Sequence, residues 1–236
     1  MAKPKLGPRA AAAKIRKAPK APSHDALRRS HQILQYAHDS AESLLDGFNQ
    51  LTKARGPGTS TDEEQDLLRA MLLFSTAGLD ACVKRLIQDV LPILASQDDD
   101  VRKALLTFAS RRLQRTEGEM GTDTKFLAEL LIGAPEENLI KSFIGDLTSG
   151  SLQSTDELWR IASALGVEDD KKVKKAIPAL QSAFEARNQI AHEMDIDFET
   201  RPRNRRGRAR ERMVAMTNNV LVAADAVLCG VAEKLS

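Results

Sequence analysis

The sequence predicts an all-α protein, and its composition and the spacing of its apolar residues are the two observations behind that prediction. Aromatic residues make up only 4% of the 236 residues, so a core has to be built mainly from Leu, Ile, Val and Ala, a composition that favours helices over aromatic-rich sheets. Apolar residues recur three, four or seven positions apart, and no segment alternates with the two-residue period of a strand. The chain is therefore expected to fold as a helical bundle.

The domain organisation is predicted to be a basic arm followed by one helical domain. Residues 1–22 contain seven Lys or Arg and no acidic residue, and their mixture of Pro, Ala and Lys leaves no room for a buried face. This arm is expected to be disordered. Residues 23–236 have the hydrophobic and charged content of one folded domain, because the whole chain is 42% hydrophobic and 29% charged.

Two long helices are predicted in the first half of the domain. The first runs from Ser23 to about Lys53 and ends before a Gly-Pro-Gly sequence that a helix cannot easily include. Thr61 and Glu64 have the spacing of a capping box, which marks the beginning of the second helix. The apolar stripe of that helix extends to Pro92 or slightly beyond.

The rest of the domain is predicted to contain several shorter helices and a final long one. Each is bounded by Gly, Pro, Ser, Thr or Asp. The predicted ranges are about 99–115, 123–132, 135–147, 155–165, 170–194 and 208–234.

Cysteine and histidine spacing does not predict a metal site. Cys82 and Cys229 lie in apolar helical patterns and are expected to be small core residues. His24, His31 and His38 recur every seven residues, so neighbouring imidazoles on a helix are about 10 Å apart, too far to share one zinc ion. A polar or interfacial stripe is the expected role of these histidines, and no metal or cofactor is predicted.

No membrane segment is predicted. The longest apolar stretches fall short of the roughly 20 residues needed to span a bilayer, and the N-terminal residues lack the apolar block of a signal peptide. The expected location is the cytoplasm.

An arginine-rich run follows the predicted helix at 170–194. The net charge of the chain is only +2, but the segment "RPRNRRGRARER" has seven arginines and a single acid, Glu211. Such a field favours polyanions, and the run is predicted to hold the phosphates of RNA, although a role in solubility alone is the alternative. The RNA-binding candidates are Arg201, Arg203, Arg205, Arg206, Arg208 and Arg210, with Arg212 completing the run.

His192 is the histidine with the densest polar neighbourhood in the sequence. At about 100° per residue, Asn188, His192 and Asp195 fall along one stripe of a helix, whereas Arg187 is rotated by about 140° from His192 and has to reach around. One helix alone would place these groups on only one side of a substrate. A second copy related by a two-fold axis would place two arginines and two histidines around one cleft.

These groups suit metal-independent RNA cleavage, in which the ribose 2′-hydroxyl attacks the adjacent phosphate. An imidazole titrates near neutral pH, so His192 can exchange the protons of the reaction. Arg187 can stabilise the charge that develops on the phosphate, and Asn188 can orient His192 or a phosphate oxygen. The alternative is a surface helix on which Arg187 merely pairs with Glu185 or Glu193.

The segment "ARNQIAHEMDID", preceded by "LWRIASALG", resembles the RiboL-PSP-HEPN family of the HEPN superfamily. Its hallmark is an Arg, usually followed by Asn, and a His after four intervening residues, matched here by Arg187, Asn188 and His192, with Glu193 and Asp195 as supporting residues. The earlier segment "RAMLLFSTAGLDACVKRLIQDVLP" is also similar to the family's early helix. By that likeness, Asp80 is the acidic residue that faces the catalytic helix.

The resemblance implies an HEPN-type antiparallel helical bundle with extra short helices, acting as a homodimeric, metal-independent endoribonuclease. Such proteins commonly act in toxin-antitoxin, phage-defence or stress systems. Members without demonstrated activity also occur, so two alternatives stay open: a noncatalytic RNA-binding or scaffold protein, and a regulatory module that binds a cognate antitoxin or another protein.

Overall fold

The computed structural model describes residues 13–114, 123–199 and 204–236, and these are helical throughout apart from their connections. The all-α prediction is confirmed, and no strand is present in the described ranges. The α-helices are α1 (Arg28–Arg55), α2 (Asp62–Gln97), α3 (Asp99–Leu113), α4 (Thr124–Leu131), α5 (Pro135–Thr148), α6 (Thr155–Ala164), α7 (Lys171–Ala176), α8 (Gln181–Glu193) and α9 (Arg210–Lys234), with 3-10 turns at Asp25–Leu27 and Pro178–Leu180.

Helix α2 is the centre of the bundle and packs against α1, α3, α5, α8 and α9. Its beginning is a capping box, as predicted: the Thr61 hydroxyl accepts from the Glu64 amide at 3.2 Å, and the Glu64 carboxylate accepts from the Thr61 amide at 2.9 Å. The helix continues past Pro92 to Gln97. Its apolar side is buried along its whole length, so α2 is the element on which the other helices are arranged.

Helices α1 and α2 are in close contact where Gly78 faces Ala37. A Cβ atom added to Gly78 would come closer to the Ala37 methyl than two non-bonded carbon atoms can lie. Because Gly78 has no side chain, α1 and α2 can pack with little separation at this point. Bulkier residues at either position would force the helices apart.

The helix predicted for residues 170–194 is divided in the structure. Pro178 has no amide hydrogen to donate and its ring clashes with the preceding turn, so α7 ends at Ala176 and a 3-10 turn precedes α8. A prediction based on apolar spacing alone missed this break. The division allows α8 to take its own direction against α2 and α9.

Residues 13–22, part of the arm predicted to be disordered, lie without regular secondary structure against α1 and α9, and we call them the N-terminal strap. The side-chain amide of Asn218 in α9 accepts from the Arg16 amide at 2.9 Å and donates to the Lys14 carbonyl at 2.9 Å. The contacts of the helical domain therefore begin in the strap, before Ser23. Residues 1–12 of the predicted arm lie outside the described residues.

Two of the three histidines in the predicted polar stripe hold this strap. The His31 ring donates to the Pro19 carbonyl over 3.0 Å, and the His38 ring donates to the Arg16 carbonyl over 2.9 Å. Burial lowers the pKa of His38. These two histidines therefore form part of the contact between α1 and the N-terminal strap.

Of the two predicted core cysteines, Cys82 is buried, and burial raises the pKa of its thiol to about 12. Cys229 is half-buried, and its thiol donates to Asp225 at 3.4 Å.

Among the described residues, α9 is the one helix whose length and apolar composition would allow it to cross a bilayer. In the fold, 67% of its most apolar 18-residue window is buried. Its position against α1, α2, α7 and α8 is that of a core helix.

The connection between α8 and α9 is held by a buried ionic cluster centred on Asp195. The Asp195 carboxylate is completely buried and accepts from Arg69 Nε of α2 at 2.8 Å and from Arg208 Nε at 3.0 Å. A second nitrogen of Arg208 also bonds to it. Burial alone would raise the pKa of Asp195, but the hydrogen bonds from Arg208 and Arg69 outweigh it and hold the pKa below its ordinary value.

This cluster stabilises an unusual backbone turn. Met194 and Asp195 have φ values of 51° and 60°, in the left-handed region that costs an ordinary residue about 1 to 2 kcal/mol. The Asp195 amide donates to the Gln189 carbonyl at 3.0 Å, and the Asp195 carbonyl accepts from the Arg206 amide at 2.7 Å. The buried charges and these backbone bonds together offset the strain and end α8 at a defined residue.

We expect Gly78→Ala to lower the free energy of unfolding by about 1 to 3 kcal/mol, because the added methyl group would push α1 from α2. The measurement is urea unfolding followed by far-UV circular dichroism. Gly145→Ala in α5 is the matched control, because nothing lies within 4 Å of the added Cβ atom, and there alanine should stabilise its helix by up to about 1 kcal/mol. Equal effects at the two positions would contradict the packing assigned to Gly78.

We expect Asp195→Ala to lower the free energy of unfolding by about 3 to 5 kcal/mol at neutral pH, because it removes the buried carboxylate that Arg69 and Arg208 share and leaves the buried Arg69 with only the more exposed carboxylate of Asp66. Since the folded pKa of Asp195 is lowered, its contribution is present above the ordinary pKa of 3.8 and is lost as the pH falls through the folded value. The difference between variant and wild type should therefore narrow in acid.

The control for this measurement is Asp169→Asn, which removes an exposed partner of Lys174 and should change stability little. A loss at Asp195 no greater than that at Asp169, or a loss that is the same at every pH, would contradict the assigned role of the buried cluster.

Candidate functional site

Helix α8 presents its polar residues to solvent because its other side is buried. Ala183, Phe184, Ala186 and Ile190 form the apolar side, which packs where α8 meets α2 and α9. The 3.6-residue period then leaves the intervening positions at the surface. His192, in the last turn, is exposed.

The structure brings Arg187, Asn188 and His192 together on α8, and we call these three residues the RNH cluster. Nη1 of Arg187 lies 3.2 Å from Nε2 of His192 and donates to Oδ1 of Asn188 at 3.0 Å. Arg187 and Asn188 are half-buried. The Arg187 side chain thus reaches around the helix to His192. This is the reach that the 140° rotation between the two residues predicted.

The contact between Arg187 and His192 has a consequence for the proton on the imidazole. A guanidinium can only donate, so Nε2 of His192 has to accept, and the ring proton of a neutral imidazole then lies on Nδ1. Donation from Arg187 thus requires that Nε2 carry no proton, and it keeps this nitrogen beside a permanent positive charge. When Nε2 takes a proton it can no longer accept from Arg187, and the guanidinium is released to bind another acceptor.

Two of the supporting residues have structural contacts beside the RNH cluster. Glu193 pairs with Arg206 at 3.1 Å. Asp195 was expected on the same stripe as Asn188 and His192, but α8 ends at Glu193 and the Asp195 side chain turns into the buried ionic cluster. The stripe geometry assumed that the helix continued, and the left-handed turn after Glu193 overturns it.

Asp80 lies on α2 and contacts Lys84 of the same helix and the connection between α5 and α6. Its carboxylate accepts from Lys84 at 2.8 Å and from the Leu152 amide at 2.9 Å, so it joins α2 to the connection between α5 and α6. The part of α2 that reaches the α8 connection is Arg69, eleven residues earlier and thus about 16 Å away along the helix axis. Asp80 therefore has a structural contact of its own, and its expected role as the acidic residue that faces α8 stays a prediction.

The arginine-rich run is largely engaged within the chain. Arg201 and Arg203 lie outside the described residues. The other four candidates have side chains only 12 to 27% exposed, and each bonds to a residue of the domain. The pairs are Arg205 with Asp66, Arg206 with Glu193, Arg208 with Asp195 and Gln189, and Arg210 with Asn49 and the Ala13 carbonyl.

These contacts give the run a structural role that its composition did not indicate. Its arginines connect the segment before α9 to α2, to α8 and to the N-terminal strap. Binding of RNA phosphates by these side chains stays a prediction, and it would have to compete with the internal bonds. Arg212, at the beginning of α9, is exposed.

Sequence reasoning missed the α2 residues that hold this connection. Gln65 accepts from the Arg208 amide at 2.7 Å and donates to the Arg208 carbonyl at 3.1 Å, and Arg69 binds Asp195 and the Arg206 carbonyl. Both residues occupy positions of the buried side of α2. Polar residues within an otherwise apolar stripe were the available signal, because such residues are buried only when they have partners.

The site has no metal-binding set in the described part of the chain, where no three His, Cys, Asp or Glu side chains are gathered in a suitable arrangement. Of the three residues of the RNH cluster, His192 is exposed and the other two are half-buried. A cavity of about 930 Å³ lies elsewhere, among α3, α5 and α6. A substrate at the RNH cluster would therefore meet an exposed surface of one subunit.

Comparison with known proteins identifies the family of this chain. The family model RiboL-PSP-HEPN matches residues 25–202, which include α8 and the whole RNH cluster. No curated protein and no solved structure matches the chain. Because the family match covers well over half of the 236 residues, this protein belongs to the RiboL-PSP-HEPN family.

Proposed function

We propose that this protein is a metal-independent endoribonuclease in which Arg187, Asn188 and His192 act on one phosphodiester. The observation that carries the proposal is the RNH cluster itself: an exposed imidazole whose Nε2 accepts from a guanidinium 3.2 Å away. Membership of the family suggests a nuclease or an RNA-binding module, and the RNH cluster supports the nuclease.

The chemistry follows from the two groups. His192 Nε2 takes the proton of a ribose 2′-hydroxyl, and the resulting oxygen forms a bond to the adjacent phosphorus. The bond from phosphorus to the 5′-oxygen breaks, and an imidazolium donates the proton that this oxygen needs. The products are a 2′,3′-cyclic phosphate and a 5′-hydroxyl. No oxidant, reductant or metal is required to balance the reaction.

Arg187 is suited to stabilise the transition state more than the ground state. In the free protein its guanidinium is bonded to His192 and Asn188. Proton uptake at Nε2 ends the bond to His192, and the guanidinium is then available for the phosphate oxygens as their charge increases. Asn188 would keep the guanidinium directed toward the phosphate during this exchange.

We further propose that two subunits form the working site. One RNH cluster has a single imidazole, whereas the reaction needs a base and an acid. Met194, which follows the cluster at the end of α8, has an apolar side chain that is 64% exposed, and a second copy of the chain would cover it. The proposed assembly is a homodimer that places two RNH clusters around one RNA strand.

The proposed setting is the cytoplasm, in a toxin-antitoxin, phage-defence or stress system in which a cognate antitoxin or regulatory protein restrains the nuclease. The bulk of α9 is buried in the core, which is compatible with a protein that is not held in a membrane.

We expect the purified protein to cut RNA in the presence of EDTA and to leave 2′,3′-cyclic phosphate ends. His192→Ala and Arg187→Ala should each reduce the cleavage rate at least about a hundredfold, because they remove proton transfer and charge stabilisation respectively. The measurement is the rate of fragment formation on a radiolabelled RNA, with end-group analysis of the products.

The matched control for cleavage is Arg28→Ala, which removes an exposed arginine at the beginning of α1 and should leave the rate unchanged. Circular dichroism would verify that all variants are folded. Wild-type cleavage rates in both cluster variants would contradict the proposal, and salt-dependent RNA binding without any cleavage would identify the noncatalytic alternative.

We expect mixed dimers to distinguish a shared site from two independent ones. When equal amounts of wild type and His192→Ala are refolded together, about a quarter of the dimers contain two wild-type subunits, so a shared site retains about a quarter of the activity. Independent sites would retain about half. Light scattering would determine the mass, and a monomer with full activity would contradict the homodimer.

A further inference from the structure

The N-terminal strap is held in place through its backbone. Side chains of α1 and α9 form hydrogen bonds of 2.9 to 3.0 Å to backbone atoms of Ala13, Lys14, Arg16 and Pro19. The strap has no regular secondary structure of its own. These bonds and the packing of its side chains therefore determine whether the strap stays against the two helices.

The side chains of the strap lie in two environments. Those that contact the helices are small or apolar and are half-buried, whereas the basic side chains are exposed to solvent. The half-buried residues are Ala13, Ile15, Ala18, Pro19 and Pro22, and the exposed basic residues are Lys14, Arg16, Lys17 and Lys20. An extended segment with only half-buried side chains detaches at a lower cost in free energy than a helix that is packed in the core.

One bond of the strap depends on the protonation state of a buried imidazole. Nδ1 of His38 lies 2.9 Å from the Arg16 carbonyl oxygen, and because a carbonyl group only accepts, Nδ1 carries the proton of the neutral ring. Nε2 of the same ring then has no proton. This nitrogen is buried and has no hydrogen-bond partner in the described part of the chain.

A second proton on His38 is unfavourable while the strap is docked. It would create a charged ring with a buried N–H group for which the described residues supply no acceptor. Burial accordingly holds the pKa of His38 below its ordinary value of 6.5. The bond to the Arg16 carbonyl and the negative charges of Asp225 and Asp39 act in the opposite direction, but burial outweighs them.

The charged groups that act on the His38 ring come from the elements packed around it. Asp39 belongs to α1, Asp225 belongs to α9, and the Arg16 side chain belongs to the strap. Asp225 also acts on the Cys82 thiol of α2, whose pKa burial raises to about 12, so this thiol is neutral in the range where an imidazole titrates. The change of charge expected at this contact near pH 6.5 is therefore that of the His38 ring.

We propose that protonation of His38 controls docking of the N-terminal strap, which is bound to α1 and α9 while the ring is neutral and is released when the ring takes a second proton. In the released state the ring faces water and its pKa returns to the ordinary 6.5. Because the docked pKa is lower than this, docking is favoured above pH 6.5 and weakens as the pH falls from there toward the docked value. Release frees the exposed basic side chains of the strap from their fixed position on the helices.

The test is amide hydrogen exchange of the full-length protein, followed by nuclear magnetic resonance at about pH 7.5 and about pH 5.5 and corrected for the intrinsic pH dependence of exchange. The Arg16 amide donates to the Asn218 side chain, so its protection reports docking. We expect this protection to fall severalfold at the lower pH, and by no more than about tenfold because only one proton is taken up. The Leu152 amide, which donates to Asp80, should be equally protected at both pH values.

Three variants assign the effect to one side chain. His38→Asn keeps an N–H donor near the position of Nδ1 but cannot be protonated in this range, so protection of the Arg16 amide should no longer depend on pH. His192→Ala removes an exposed histidine of α8 and should keep the pH dependence of the wild type. Asn218→Ala removes the acceptor of the Arg16 amide and gives the exchange rate of the released strap at either pH.

Equal protection of the Arg16 amide at the two pH values in the wild type would overturn the proposal. A His38→Asn variant with the wild-type pH dependence would also overturn it, because another group would then be responsible. A parallel loss of protection at Leu152 would mean that acid loosens the whole domain, which is a third contradicting result. The comparison of the two amides in the wild type decides the matter even if His38→Asn does not fold.

Discussion

The buried bonds of Asp195 to Arg69 and Arg208 are the interaction on which the functional end of this protein depends. They join three parts of the chain that are distant in sequence: α2, the end of α8 and the segment before α9. A carboxylate with no exposure is tolerated there only because two guanidinium groups neutralise it. This arrangement determines the residue at which α8 ends and the direction of the connection that follows it.

The position of His192 follows from that constraint. Since α8 ends at Glu193, His192 is in the last turn, where its ring is exposed and where the Arg187 side chain can reach it from one turn earlier. If α8 continued, Asp195 would extend the polar stripe and the connection could not return to α2. The same cluster that turns the chain therefore separates Asp195, which is buried and holds the connection, from His192, which faces solvent.

Much of the fold could be predicted from sequence because local signals were strong. The capping box at Thr61 and the apolar spacing of α2 and α9 lie within single helices, where a few neighbouring residues decide the structure. The RNH cluster was predictable for the same reason, as its three residues lie on one helix. The predicted position of Asp195 was wrong because its partners are 126 and 13 residues away in the sequence, and no local pattern indicates such pairs.

The arginine-rich run shows the limit of reasoning from charge. As a sequence it is a strong positive field, but Arg205, Arg206, Arg208 and Arg210 meet carboxylates, amides and carbonyl groups of the domain. Composition reports the number of charges and not their partners, which are supplied by tertiary structure. The bond from the Leu152 amide to Asp80 is a further tertiary contact, between residues 72 positions apart, that composition did not indicate.

The most direct test of the central claim is nuclear magnetic resonance of protein labelled with ¹⁵N in its arginine and histidine side chains. The ligand would be a 2′-O-methyl oligoribonucleotide, which can bind but cannot be cut by its own 2′-oxygen. The account predicts that the side-chain signals of Arg187 and His192 shift together as this RNA is added, because the guanidinium leaves the imidazole for a phosphate. Saturating RNA that leaves both signals unmoved would contradict it.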